Sequence, residues 1–91
     1  MRFRFYTVPG ENRPHFEAHG VSTEEIVEFF TDTNYFEERR PDDSYLGYGQ
    51  LRSGRILKVI YRKLEVSYLF VFNAYDLEDQ VIIDYLKRNL P

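Results

Sequence analysis

Few residues of this chain can do chemistry near neutral pH. Histidine, with an ordinary pKa near 6.5, occurs only at His15 and His19. On a helical turn their i, i+4 spacing puts both imidazoles on one side. Cleaving RNA without a metal requires a group to take the 2′-hydroxyl proton, positive charge for the phosphate and a donor for the leaving oxygen. The histidines suit the proton transfers, and the cations Arg55, Lys58 and Arg62 suit the phosphate. On an extended strand Arg55 lies on the opposite face from Lys58 and Arg62, so the three do not form one site without a bulge. Lys58 and Arg62 share a face roughly 13 Å apart, wide for one phosphate and suited to two. The competing reading makes them solvent-facing positions of an edge strand. Zinc is disfavoured: His15-Phe16-Glu17-Ala18-His19 runs H-x-E-x-H, not H-E-x-x-H, and nothing marks a third ligand. The absence of Cys removes thiol chemistry. No metal and no cofactor are expected.

Composition narrows the context. The chain has 91 residues, a length that suits one domain, and 18% of them are aromatic, eight Phe and eight Tyr, which supplies large apolar area for a small core. Twelve basic residues against 15 acidic ones give a net charge of −3, which opposes strong non-specific binding to nucleic acid. Only Lys58, Lys63 and Lys87 among the 12 are lysines, which leaves nine arginines. Arginine's planar fork matches phosphate or carboxylate, although solvated ion pairs account for most such residues. No apolar run approaches the ~20 residues of a membrane span, and Met1-Arg2-Phe3-Arg4-Phe5 does not read as a signal peptide. A cytoplasmic protein with no membrane partner is expected.

The elements that must position these groups follow from period and punctuation. Residues 2–8 alternate, Phe3, Phe5 and Thr7 on one face, and Pro9-Gly10 ends the strand. One to two helical turns fit between Pro14 and Gly20. Ser22 and Glu25 form a capping box, and Ile26, Val27, Phe29 and Phe30 predict a helix over 22–32 with an acidic outer face of Glu24, Glu28 and Asp32. Residues 34–43 read as a charged loop. A three-stranded meander follows: 44–51, a hairpin loop at Arg52-Ser53-Gly54, 55–62, a turn near 63–65, then 66–75. The run Tyr68-Leu69-Phe70-Val71-Phe72 is apolar on both faces and predicts a central strand covered on both sides. Asp76 reads as the N-cap of a last helix over 77–89, whose apolar stripe is Val81, Ile82, Tyr85, Leu86 and Leu90. The fold class is α+β: a small antiparallel sheet, an N-terminal strand plus the meander, packed with an N-terminal helix pair and a C-terminal helix. One core of Phe3, Phe5, Ile26, Phe29, Phe30, Val59, Phe70, Phe72, Ile82 and Leu86 is expected.

His19-Gly20-Val21-Ser22-Thr23-Glu24-Glu25, then an acidic helix, a variable loop and Gly54-Arg55-Ile56-Leu57-Lys58-Val59-Ile60-Tyr61, resembles the BrnT family over about residues 15–85. These are small bacterial toxins with a RelE-like ribonuclease fold, each paired with an antitoxin. The family pattern runs K-H-G-V-S-F-E-E-A, G-R-x-L-x-V-x-Y, a strand ending I-S-A-R-x-A and a helix carrying E-R-x-x-Y. This chain departs from it where cations are needed: Tyr75 and Phe70 stand at the strand arginines, and Val81 at the helix glutamate. Tyr85 keeps the terminal tyrosine.

The resemblance implies a toxin-family protein, a weak or inactive metal-independent endoribonuclease with RNA and a small antitoxin as partners. Its implied catalytic set is His19, Lys58, Arg62 and Tyr85, with His15, Arg55 and Tyr75 as binding residues. The alternative is a non-catalytic protein-interaction module on the same scaffold.

Overall fold

A computed structural model describes residues 1–89. Five strands form one sheet in the order β1-β5-β4-β3-β2: β1 Arg2–Phe5, β2 Phe36–Arg39, β3 Tyr45–Gln50, β4 Ile56–Glu65 and β5 Tyr68–Asp76. A 3-10 helix over His15–His19 and the α-helices α1 (Thr23–Thr31) and α2 (Gln80–Asn89) complete the α+β fold. None of these helices is long and apolar enough to cross a membrane.

The local signals of the N-terminal half work as expected. Gly20 ends the 3-10 helix at φ 76°, a left-handed position that costs glycine little. Ser22 caps α1: its Oγ accepts the Glu25 amide at 3.1 Å, and the Glu25 carboxylate accepts the Ser22 amide at 3.0 Å. Ile26, Phe29 and Phe30 then point into the sheet.

Four expectations about the elements and their pairing need correction. The sheet is mixed, because β1 runs parallel to β5 with Arg2 beside Tyr68 and Arg4 beside Phe70. The segment 34–43 is not all loop. Its residues Phe36–Arg39 pair with β3, and Glu37 accepts hydrogen bonds from the Tyr61 hydroxyl and the Lys63 ammonium. These contacts from distant strands order a run whose charge pattern reads as solvated. The turn between β4 and β5 falls at residues 66–67, later than the expected 63–65. Finally, Asp76 is the last residue of β5 and not a helix cap. Its carboxylate is held by Arg55, and Leu77 extends the ladder by donating to the Ile56 carbonyl. The cap of α2 passes to Asp79, whose Oδ1 accepts from the amides of Val81 and Ile82.

The apolar residues divide between the two faces of the sheet. On one face, the 3-10 helix and α1 bury Phe16, Ile26 and Phe29 against Leu57, Val59, Tyr61, Leu69, Val71 and Ala74. Gly47 and Gly49 of β3 allow Phe29 this close: a Cβ on either would lie within 3.2 Å of its ring. Phe3 and Phe5 pack at the margin of this cluster. On the other face, α2 covers only the β3 side, where Leu86 and Leu77 meet Tyr48, with Ile82 beside them. The expected single core is therefore two. Phe70 and Phe72 belong to neither cluster, Val81 is exposed, and Leu90 lies outside the described residues.

Candidate functional site: the open half of the sheet

The part of the second face that α2 leaves uncovered is floored by one strand. Tyr68, Phe70, Phe72 and Tyr75 of β5 project there, half-buried. Between Ile60 and Tyr61 the register steps past Phe72, a bulge in β5, and the Phe70 and Phe72 rings stack 4.6 Å apart. Each of the four rings carries a cation from a neighbouring strand. The guanidinium carbons of Arg2 and Arg4, on β1, lie 4.3 Å and 5.0 Å from the ring centres of Tyr68 and Phe70. From β4, Arg62 reaches Phe72 and Lys58 reaches Tyr75, each at 5.7 Å. These distances fall within the range of cation–π attraction.

The histidines continue this row at its far end. Where β1 stops, the 3-10 helix takes its place along β5, and His19 lies 5.7 Å from the Tyr75 ring. His15 lies 5.6 Å from His19 and 6.2 Å from Tyr6. The i, i+4 spacing thus holds in the structure. A groove of about 530 Å³ opens here, lined by His19, Lys58 and Tyr75 with Leu77 and the carboxylates Asp76, Glu78 and Asp79. No group of three metal-ligating side chains occurs among the described residues.

The remaining nominated residues go elsewhere. Arg62 shares the open face with Lys58 but does not line the groove. Tyr85 is on α2, edge-on to Phe36 at 5.5 Å, and contributes nothing to the groove. Arg55 precedes β4 and turns into a corner between the sheet and α1. There its guanidinium contacts Asp76 at 2.6 Å, Glu25 at 3.0 Å and the Gly20 carbonyl at 2.8 Å. Two carboxylates neutralise it, so it serves the fold and not a phosphate. In return the hydrogen bond from Arg55 holds the Asp76 carboxyl below the usual carboxylate range, against a smaller desolvation effect.

Arg2, Arg4, Phe70 and Phe72 are the surface residues that sequence reasoning overlooked; Tyr68 and Tyr75 were legible as meander tyrosines able to stack bases. The signal was present as two alternations, Arg-Phe-Arg-Phe and Tyr-Leu-Phe-Val-Phe. Their meaning depends on a parallel pairing of segments more than sixty residues apart, which alternation does not specify.

Chemically, the arrangement is better equipped to hold than to cleave. Arg4, Lys58 and Arg62 form no ion pair among the described residues, whereas Arg2 at the end of the row pairs with Glu65, and Arg39, Arg55 and Lys63 elsewhere on the sheet pair with acids. Their charge is available to a ligand. Around His19, by contrast, Lys58 is the single cation lining a groove that three carboxylates share. No family model matches the chain, and comparison with curated proteins and with solved structures yields no match either.

Proposed function

We propose that this protein binds single-stranded RNA on the open half of its sheet and cleaves it weakly or not at all. The observation that carries this reading is the row of four rings on β5, each paired with a cation from β1 or β4. Bases stack on aromatic rings and on guanidinium planes alike, while cations meet the phosphates. The Phe70 and Phe72 rings stack on each other 4.6 Å apart, which leaves no room for a base between them, while other alternate residues on a strand are about 7 Å apart and stacked nucleotides rise only ~3.4 Å. Bases on this row would therefore bind unstacked, as single strands permit. With a net charge of −3 there is little long-range attraction, so affinity has to come from local contacts. This reading places the protein in the cytoplasm with its RNA.

The test is fluorescence anisotropy with a labelled single-stranded RNA at low salt. Phe70→Ala should weaken binding about tenfold, since one stacked base is worth ~1–3 kcal/mol. Absence of binding at micromolar protein would end the proposal.

A second reading is favoured by the convergence of His19, Lys58 and Tyr75 on one groove. It is the BrnT-like ribonuclease toxin held by a small antitoxin, with His19 moving the proton. Its measure is cleavage of total RNA and of ribosome-bound message by purified protein. His19→Ala and Lys58→Ala controls should abolish the cleavage, and induced expression should arrest growth unless the neighbouring reading frame is present. The carboxylates Asp76, Glu78 and Asp79 weigh against it, because negative charge beside a developing phosphate anion raises the barrier.

A further inference from the structure

We propose that the groove between β1 and α1, on the opposite side of the sheet from the ring row, receives an extended basic segment of a partner protein, paired to β1 as an additional strand. The groove measures about 620 Å³. Its floor is apolar, formed by Phe3, Phe5 and Val27, and Val27 is 41% exposed on a helix whose other large apolar residues are buried. Its wall is acidic: Glu24, Glu28 and Asp32 succeed one another at i, i+4 and i+8 along α1.

Two independent features specify the occupant. The first is the backbone. Among the described residues β1 is an edge strand, bonded only to β5. The amides of Arg2 and Tyr6 donate inward to the carbonyls of Ser67 and Val71, so the alternation of a strand ladder turns the N–H and C=O of Phe3 and Phe5 outward. Such an edge is a template for an incoming strand. The second is charge. The far end of the acidic wall already takes a guanidinium, since Arg52 lies 3.8 Å from Glu28 and 3.5 Å from Asp32. Glu24 has no cation partner among the described residues. A strand on β1 with Lys or Arg at alternate positions would lay its methylene stems on Phe3, Phe5 and Val27 and bring its charges to the carboxylates. Acidic side chains in the same places would meet like charge.

The experiment is an NMR titration of the full chain with a blocked eight-residue peptide alternating Lys with Val and Thr, beside a counterpart alternating Glu. Shifts should concentrate at the Phe3, Phe5 and Val27 amides, with slowed exchange at Phe3 and Phe5, for the Lys peptide alone. Glu24→Lys and Val27→Gln alter exposed positions and should each weaken binding at least fivefold with unchanged melting temperature. Equal binding of the Glu peptide, shifts on the β5 ring row in place of β1, or association of the protein with itself at this edge would each overturn the proposal. These outcomes do not depend on RNA binding, which uses the other face.

Discussion

The two sides of β5 are nearly alike in sequence and opposite in circumstance. Leu69, Val71 and Ala74 face the 3-10 helix and α1 and are almost completely buried. Tyr68, Phe70, Phe72 and Tyr75 face the other way and remain half-exposed, sheltered only by the stems and charges of Arg2, Arg4, Lys58 and Arg62. Aliphatic residues lie where a helix packs and aromatic ones where none does. That assignment is sensible physically. An aliphatic side chain gains by leaving water, whereas a ring can also attract a cation through its π-face and remain stable at a wet surface. A strand that is apolar on both sides can therefore belong to a sheet covered on one side. Cations show the same division. Arg55 is locked between Glu25 and Asp76, while Arg62 and Lys58, on the strand it precedes, lie over rings and form no ion pair among the described residues.

The contrast is sharpest in the core. Phe29→Ala removes a ring with no exposed surface and should cost about 3–5 kcal/mol in chemical denaturation. Phe70→Ala should cost less than half as much while weakening RNA binding. Equal costs would mean that the two faces are equally packed.

Next comes the arginine pair. Arg55→Ala strips the partly buried Glu25 and the exposed Asp76 of their donor and should lose about 1.5 kcal/mol, most of it at Glu25, whereas Arg62→Ala should stay within about 0.5 kcal/mol. The pH dependence has a definite sign. Asp76 titrates lower in the folded chain than in the unfolded one because of Arg55. Its contribution is present above the ordinary carboxylate pKa near 3.9 and is lost as pH falls through the depressed folded value. Melting temperature followed from pH 5 downward should fall less steeply for Arg55→Ala than for the parent chain. Parallel curves would show that the pair is not coupled to folding.

A smaller loss than at Arg55 is expected at the entry to α1. Ser22→Ala deletes the acceptor for the Glu25 amide and should cost on the order of 1 kcal/mol. On the open face, removing Lys58 or Arg62 should leave stability alone and lower the salt dependence of RNA binding by about one unit of slope each. An unchanged slope would show that these cations do not meet phosphate.

Sequence alone determined whatever depends on neighbours within one turn or one pleat. The α1 capping box, Gly20 at the end of the 3-10 helix, the Arg52-Ser53-Gly54 hairpin and the alternation of Leu57, Val59 and Tyr61 are all of this kind, and together they fix the α+β class. The histidine pair belongs here as well, because its spacing is set by the helical turn that carries it. Tertiary structure decided everything that required a choice of partner. Residues 36–39 became a strand because the free edge of β3 and the Tyr61 hydroxyl were there to receive them. Asp76 became the end of a strand because Arg55, twenty-one residues earlier, claimed its carboxylate. Arg2 and Arg4 joined the rings of β5 because β1 docked parallel to it across a separation of more than sixty residues. The alternation of apolar and charged residues states which side chains share a face. It does not state which strand lies beside them or whether a helix covers them, because those outcomes turn on the area that competing pairings bury and on the chain entropy each one costs.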